Sequence, residues 1–244
     1  MVGVALKDFE STAHLMSRRG QDLSVWVRDL YEDRQDGSRM VTGHVLVFGG
    51  EAKDGCLVRI HSRCLYGDAL QSDDCDCGPE LKLAMDRIQA DGGRGVLIYL
   101  EQEGRGAGLE VKAQALAHGE RTGADSYTSY AALRHPVDSR SYAQAATALK
   151  ELKLRSVRLM TNNPEKLSAV RKAGIEVVHV PLLTVPRSER ARKYMESKRR
   201  MAGHDLPEAE LPDPSWEQRA QAVMWWFVRP VWDRITGVSA DRPM

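Results

Sequence analysis

The chain lacks any run approaching the ~20 apolar residues that a membrane-spanning helix requires, so no bilayer crossing is expected. It also lacks an excess of either charge. With 35 Lys and Arg against 34 Asp and Glu, no overall field draws in nucleic acid or a membrane surface. Any anionic ligand must therefore be held by local basic clusters. No apolar leader opens the chain, which starts MVGVALKDFESTAH. That points to a reducing cytoplasm, where disulfides are not the expected use of cysteine. Cysteine is scarce, with four in 244 residues, and its distribution is therefore informative.

Three of those four fall in the segment VRIHSRCLYGDALQSDDCDCGPE, Val58 to Glu80, as Cys64, Cys75 and Cys77, with Cys56 just upstream. In this C-x10-C-x-C spacing the C-x-C pair can reach one ion from a single turn. Ten intervening residues are enough to fold the third thiolate back. Three protein ligands leave one position of a tetrahedral zinc open, and such a site supplies an activated water at neutral pH. Spacing alone leaves three readings open: a disulfide pair, a closed structural zinc with Cys56 or His61 as fourth ligand, and a catalytic zinc.

At this length the chain holds one large or two small domains. Residues 1 to about 45 read as exposed polar turns around one apolar stretch, Leu23 to Leu30. Alternation in MVTGHVLVFGG and CLVRIHSRC predicts antiparallel strands that deliver the cysteine loop. Pro79 suits the first position of a helix whose apolar face is Leu81, Ala84, Met85 and Ile88, closed by Gly92 and Gly93. Val96 to Leu100 reads as a buried strand feeding a glycine turn, EGRGAG, and a helix whose N-terminus with Arg105 offers an anion site. Thr122 to His135 is irregular. VDSRSYAQAATALKELKL reads as a helix capped by Asp138 or Ser139, with Ala145, Ala148, Leu149 and Leu152 inward. SVRLMT, NNPEK and LSAVRKAG form a second strand, loop and helix, followed by the strand EVVHVPLL. Thr161 to Lys166 lies at a strand end, where ligands bind in α/β proteins.

VPRSERARKYMESKRRMAGHDL reads as a basic helix, and PEAELPDPS as a linker. Trp216, Trp225, Trp226, Phe227 and Trp232 crowd a last helix suited to packing or a subunit contact. The fold class is α+β or mixed α/β, a mixed sheet flanked by helices with a zinc-binding cysteine loop. The expected domain covers residues 1–206, followed by linker and Trp-rich helix over 207–244.

With HSRCLYGDALQSDDCDCG, IYLEQEGRGAGL, DSRSY, RLMTNNPEK and KYMESKRRMAGH in this order, the chain resembles the GTP cyclohydrolase II family over roughly residues 57 to 206. The resemblance implies a zinc enzyme that opens the imidazole ring of GTP at the start of riboflavin biosynthesis. Cys64, Cys75 and Cys77 would be its zinc ligands, with water attacking purine C8. Arg59, Ile60, His61, Ser62, Arg63, Glu103, Gly104 and Arg105 would line the nucleotide, with Glu80 and Ser126 near it and Thr161 and Lys166 completing the pocket. Asp138 matches the proposed proton acceptor. Arg140 matches the proposed nucleophile on the α-phosphorus, with pyrophosphate leaving; the open alternative is an electrostatic clamp. Mg²⁺ on the triphosphate and a homodimer are also implied.

Four positions depart from the family pattern. Leu116 stands where a catalytic tyrosine is usual, which predicts that the formyl group stays on the opened ring. Glu80 replaces glutamine, which changes the hydrogen-bond code near the nucleotide, and Arg63 replaces glutamate. Ser126 replaces threonine and keeps its hydroxyl. These departures keep UTP open as another substrate, and a non-catalytic nucleotide-binding module as a third reading. The presence of the cysteines, Asp138 and Arg140 argues against the last.

Overall fold

A computed structural model describes residues 12–208. The Trp-rich segment and most of the expected linker lie outside that span. Seven strands form one mixed sheet: β1 (His14–Arg18), β2 (Gln21–Asp33), β3 (Arg39–Phe48), β4 (Cys56–Ser62), β5 (Gly95–Leu100), β6 (Ser156–Met160) and β7 (Glu176–Val180), in the order β1-β2-β3-β5-β4-β6-β7. The helices among the described residues are α1 (Leu65–Asp68), α2 (Cys77–Ala90), α3 (Leu109–Thr122), α4 (Ser126–Ala132), α5 (Ala143–Glu151), α6 (Pro164–Lys172) and α7 (Glu189–Ala202). None of them is long and apolar enough to cross a membrane.

The antiparallel expectation holds for β3, which opposes both β2 and β5. It fails for β4, which runs parallel to β5 and β6. The connection explains this, because β4 reaches β5 through the cysteine loop and α2, and a helical crossover returns the chain in the same direction. Alternation along β4 therefore marks two covered faces rather than one wet one. Val58 and Ile60 pack with Val96, Ile98, Leu149 and Val170 under α5 and α6. Leu57 packs with Leu97, Ala84 and Ile88 on the α2 side.

Of the first 45 residues, those from residue 12 onward do more than form exposed turns. They build the β1-β2-β3 meander, and Leu23 and Val25 of the thirteen-residue β2 are buried. Within the stretch read as irregular, α4 forms because the Asp125 side chain accepts the backbone N–H of Tyr127 at 2.7 Å and of Thr128 at 3.1 Å. Helix α5 starts later than predicted, at Ala143, and neither Asp138 nor Ser139 caps it. Both side chains are committed elsewhere, Asp138 to Arg140 and the Ser139 hydroxyl to the Arg105 carbonyl. Pro79 sits in the third position of α2 rather than the first. It costs no bond there, since the first four N–H groups of a helix lack intrahelical partners.

Candidate active site

The carboxyl ends of β4, β5 and β6 lead into one cleft of about 980 Å³. Cys64 follows β4 and caps α1, its sulfur accepting the Gly67 N–H at 3.4 Å, while Cys77 opens α2. Cys64 Sγ lies 3.8 Å from Cys75 Sγ, and all three sulfurs fall within 4.8 Å of one another. Hydrogen bonds from the Cys75 and Cys77 thiols pull Cys64 down to about 3 despite burial, helped by Lys112, whose Nζ is 3.3 Å from the sulfur. The same contacts raise Cys75. Such a triad can hold a metal ion.

Neither Cys56, at the far end of β4, nor His61 joins the cluster. Arg59 Nη2 donates to His61 Nδ1 at 3.2 Å, so Nε2 must carry the hydrogen that it gives to Asp68 at 3.0 Å. Burial first, then Arg59, lowers the His61 pKa against the pull of Asp68, and the ring is neutral. Asp68 also accepts the Cys64 N–H at 3.0 Å and the Tyr99 hydroxyl at 2.9 Å. It thereby ties the cysteine loop to the sheet.

Two glycines set the spacing of the loop. A methyl group at Gly78 would lie 2.2 Å from the Gly67 carbonyl oxygen, and one at Gly67 would lie 2.9 Å from Cys75 Sγ. Gly78→Ala must therefore push α1 away from the start of α2. We expect it to lower metal affinity by roughly 10- to 100-fold, the usual cost of disturbing what orients the ligands. Competition with a chromophoric chelator measures this, and an unchanged affinity would show that the crossing does not set the sulfur spacing.

Arg59 is buried on the α2 face and donates to Glu80 Oε2 at 2.6 Å. Asn162 Nδ2 reaches the other Glu80 oxygen at 3.1 Å. Burial opposes ionisation of Glu80, but Arg59, Lys198 and Lys166 outweigh it and hold the carboxyl at about 2. Ile60, between Arg59 and His61, turns its side chain into the opposite core. Only its carbonyl faces this way, accepting from Lys166 Nζ at 3.0 Å. Burial, then Arg59 and Arg140, pushes Lys166 well below the usual lysine range. Ser62 and Arg63 are half-buried; Ser62 donates to Gln102 at 3.3 Å, and Arg63 pairs with Glu101 at 2.6 Å. Thr161 is buried, and its Oγ accepts the Asn163 N–H at 3.0 Å.

The opposite wall begins at the 3-10 turn Glu103–Gly106. Glu103 accepts the Leu65 N–H at 2.6 Å and Lys112 Nζ at 2.8 Å. Gly104 and Arg105 both adopt left-handed backbone, at φ 59° and 57°, a conformation costly for arginine. In return the Arg105 guanidinium stacks 3.5 Å over Tyr127 and donates to Ser126 Oγ at 2.8 Å. Its buried Nη1 has no partner. Asp138 lies behind the wall and chelates Arg140, taking Nε at 2.9 Å and Nη2 at 2.5 Å. Burial opposes the charge on Arg140, but Asp138 raises its pKa above the ordinary value. Burial likewise opposes ionisation of Asp138, yet Arg140 holds it low.

The predicted residues thus converge, apart from the Ile60 side chain, which is in the core, and Asp138, which reaches the cleft through Arg140. Sequence reasoning missed Asp68, Lys112, Asn162, Tyr194 and His204, while the basic residues of α7 that line the cleft, among them Arg190, Lys193 and Lys198, are open in the sequence to a phosphate-binding reading or a solvated face. Lys112 and Asp68 carried a signal: one lies a helical turn before Leu116, and the other four residues after Cys64.

The family described as GTP cyclohydrolase II matches this chain over residues 18–181. A Neisseria meningitidis protein named GTP cyclohydrolase-2 is 44% identical over 167 residues, covering 68% of this chain and 84% of that one. A Streptomyces coelicolor protein of the same name is 41% identical over 178 residues, covering 72% and 78%. The riboflavin biosynthesis protein RibBA of Bacillus cereus is 41% identical over 165 residues, covering 67% of this chain and 41% of its own length. The match spans the cysteine triad, both walls of the cleft up to α6 and the whole sheet but β1, and the chain belongs to the GTP cyclohydrolase II family.

Proposed function

We propose that this chain holds zinc on Cys64, Cys75 and Cys77 and hydrolytically opens the imidazole ring of GTP with release of pyrophosphate. The observation that carries this is the sulfur spacing at the head of a cation-lined cleft. Zn–S bonds of about 2.3 Å in a tetrahedron place sulfurs about 3.8 Å apart, and Cys64 and Cys75 stand 3.8 Å apart. A zinc ion held there would act as a Lewis acid and activate water beside purine C8.

The side chains do the rest. Lys112 balances the thiolate of Cys64 and pins Glu103 on the cleft wall. Arg105 offers an unpaired buried N–H, and Arg140 binds phosphate oxygens by charge-assisted hydrogen bonds while Mg²⁺ travels with the leaving pyrophosphate. The clamp reading of Arg140 is favoured over the nucleophile. Asp138 stabilises the protonated guanidinium, which has no lone pair to attack phosphorus, and is itself too acidic to take a proton readily. Glu80 has its oxygens on Arg59 and Asn162, so it serves as the counter-ion of Arg59 rather than as the reader of either base, and the preference for GTP over UTP rests on the family match.

Leu116 faces the cleft one turn beyond Lys112. With no hydroxyl there to polarise the formamide, the ring opens and the formyl group stays. The product is then the N-formyl form of 2,5-diamino-6-ribosylamino-4-pyrimidinone 5'-phosphate. Zinc-loaded protein incubated separately with GTP, UTP and ATP should deplete only GTP, and mass spectrometry should find the formyl-bearing product. Stoichiometric formate would refute the role of Leu116. Loss of UTP alone would make it a uracil enzyme, and loss of none a binding module. Leu116→Tyr should raise formate release.

A further inference from the structure

Helix α7 and the turn after it carry the segment KYMESKRRMAGH, past the residues 18–181 that the family model matches, and Tyr194, Lys198 and His204 face the cleft. Lys198 ties this element down. It donates to Asp76 Oδ1 at 2.6 Å, and Asp76 stands just ahead of α2, between two of the three clustered cysteines. The turn itself is fixed. Gly203 takes left-handed backbone at φ 59°, the His204 N–H reaches the Lys198 carbonyl at 3.3 Å, and the Asp205 N–H reaches the Asn162 carbonyl at 2.8 Å.

On this fixed backbone the His204 imidazole lines the cleft, and neither ring nitrogen has a partner although both are shielded from solvent. Burial, then Lys198, holds its pKa at about 2, so the ring is neutral. It therefore carries one N–H donor and one lone pair, pointing in different directions. Buried polar atoms of this kind are normally paired, so the cleft's occupant is the natural source of both partners.

The surroundings narrow that occupant. Lys198, Glu80, Lys166 and Arg140 are the charged groups acting on the ring. Phosphate oxygens can take its N–H, but they cannot serve its lone pair, which needs a donor. In a nucleoside triphosphate the donors are base N–H groups and ribose hydroxyls. A purine with C8 at the cysteines turns its N–H edge away from them, whereas its ribose hangs from N9, next to C8. Glu80, which acts on the ring, lies one helical turn from Cys77, and Lys198 is bonded to Asp76 beside it, so the imidazole stands on the cysteine side of the cleft, where the ribose next to C8 would lie.

Building on the GTP reading, we propose that His204 is a substrate-binding residue that accepts a hydrogen bond from a ribose hydroxyl, its N–H turned to the phosphates. The test compares kcat/KM for GTP, 2'-deoxy-GTP and 3'-deoxy-GTP in the wild type, His204→Ala and the shape-preserving His204→Phe. One deoxynucleotide should be poorer by up to about tenfold in the wild type, the usual worth of one such bond. That gap should shrink below about twofold in whichever variant folds, as judged by thermal unfolding. A purely structural role would lower all three substrates together and leave the gap intact. A gap that persists in the variants, or no gap in the wild type, overturns the inference alone. A wild type that leaves GTP untouched overturns the GTP reading as well.

Discussion

Cys75→Ser is expected to leave a folded protein that no longer retains zinc and whose turnover of GTP falls by at least about 10³-fold, because water without the ion has lost its activation. Cys75 is the cleanest of the three to change. Cys64 also caps α1 and accepts from Lys112, and Cys77 begins α2, so their loss mixes metal binding with helix geometry. Cys75 lies in no helix, and its sulfur meets those of Cys64 and Cys77. The Gly67 and Gly78 crossing and the Asp68 tie position the loop that carries the three sulfurs. A metal that binds the folded chain alone adds stability, about 4 kcal/mol at a thousandfold excess over Kd. Thermal unfolding with and without chelator should show that gain in the wild type and nothing in Cys75→Ser. Metal analysis and GTP consumption complete the measurement. Full turnover by metal-free protein would end the zinc mechanism.

How far the sequence could be read follows from how local each signal was. The strands β3, β5, β6 and β7 and the helices α2, α6 and α7 are visible as apolar periodicity and caps, because each is decided by neighbours a few residues away. The Asn163 cap and Pro164 behind it are an example, with the side chain accepting the Glu165 N–H at 2.8 Å. The direction of β4 was not visible, since it depends on a crossover that places β5 between β3 and β4. The length of β2 was hidden for a similar reason: charged Arg28, Asp29 and Glu32 interrupt its pattern, and its pairing with β3 decides it. In the site, the cysteines were legible from spacing. The orphaned imidazole of His204 was not, because only the folded chain shows that nothing meets it.

Glu80 shows the same limit and gives the second large effect. Read as a residue, it is a glutamate near a nucleotide; in the fold it is the counter-ion that keeps Arg59 from being a buried, uncompensated charge. Breaking a buried pair from one side costs about 3–5 kcal/mol, so Glu80→Ala should lower stability by that amount in urea titrations. Glu80→Gln keeps the shape and an oxygen for Arg59 or Asn162, and should cost clearly less. The pair also makes the fold sensitive to acid. The Glu80 carboxyl is held at about 2 against an ordinary 4.5, so the folded state binds its proton less readily than the unfolded chain. Its contribution is therefore present in full above the unfolded value and disappears as pH falls from about 4.5 toward 2. Glu80→Gln has no such proton to take up, and its stability should decline less steeply across that window than the wild type's. Parallel slopes for the two proteins would mean that the Arg59 pair does not govern the acid limb.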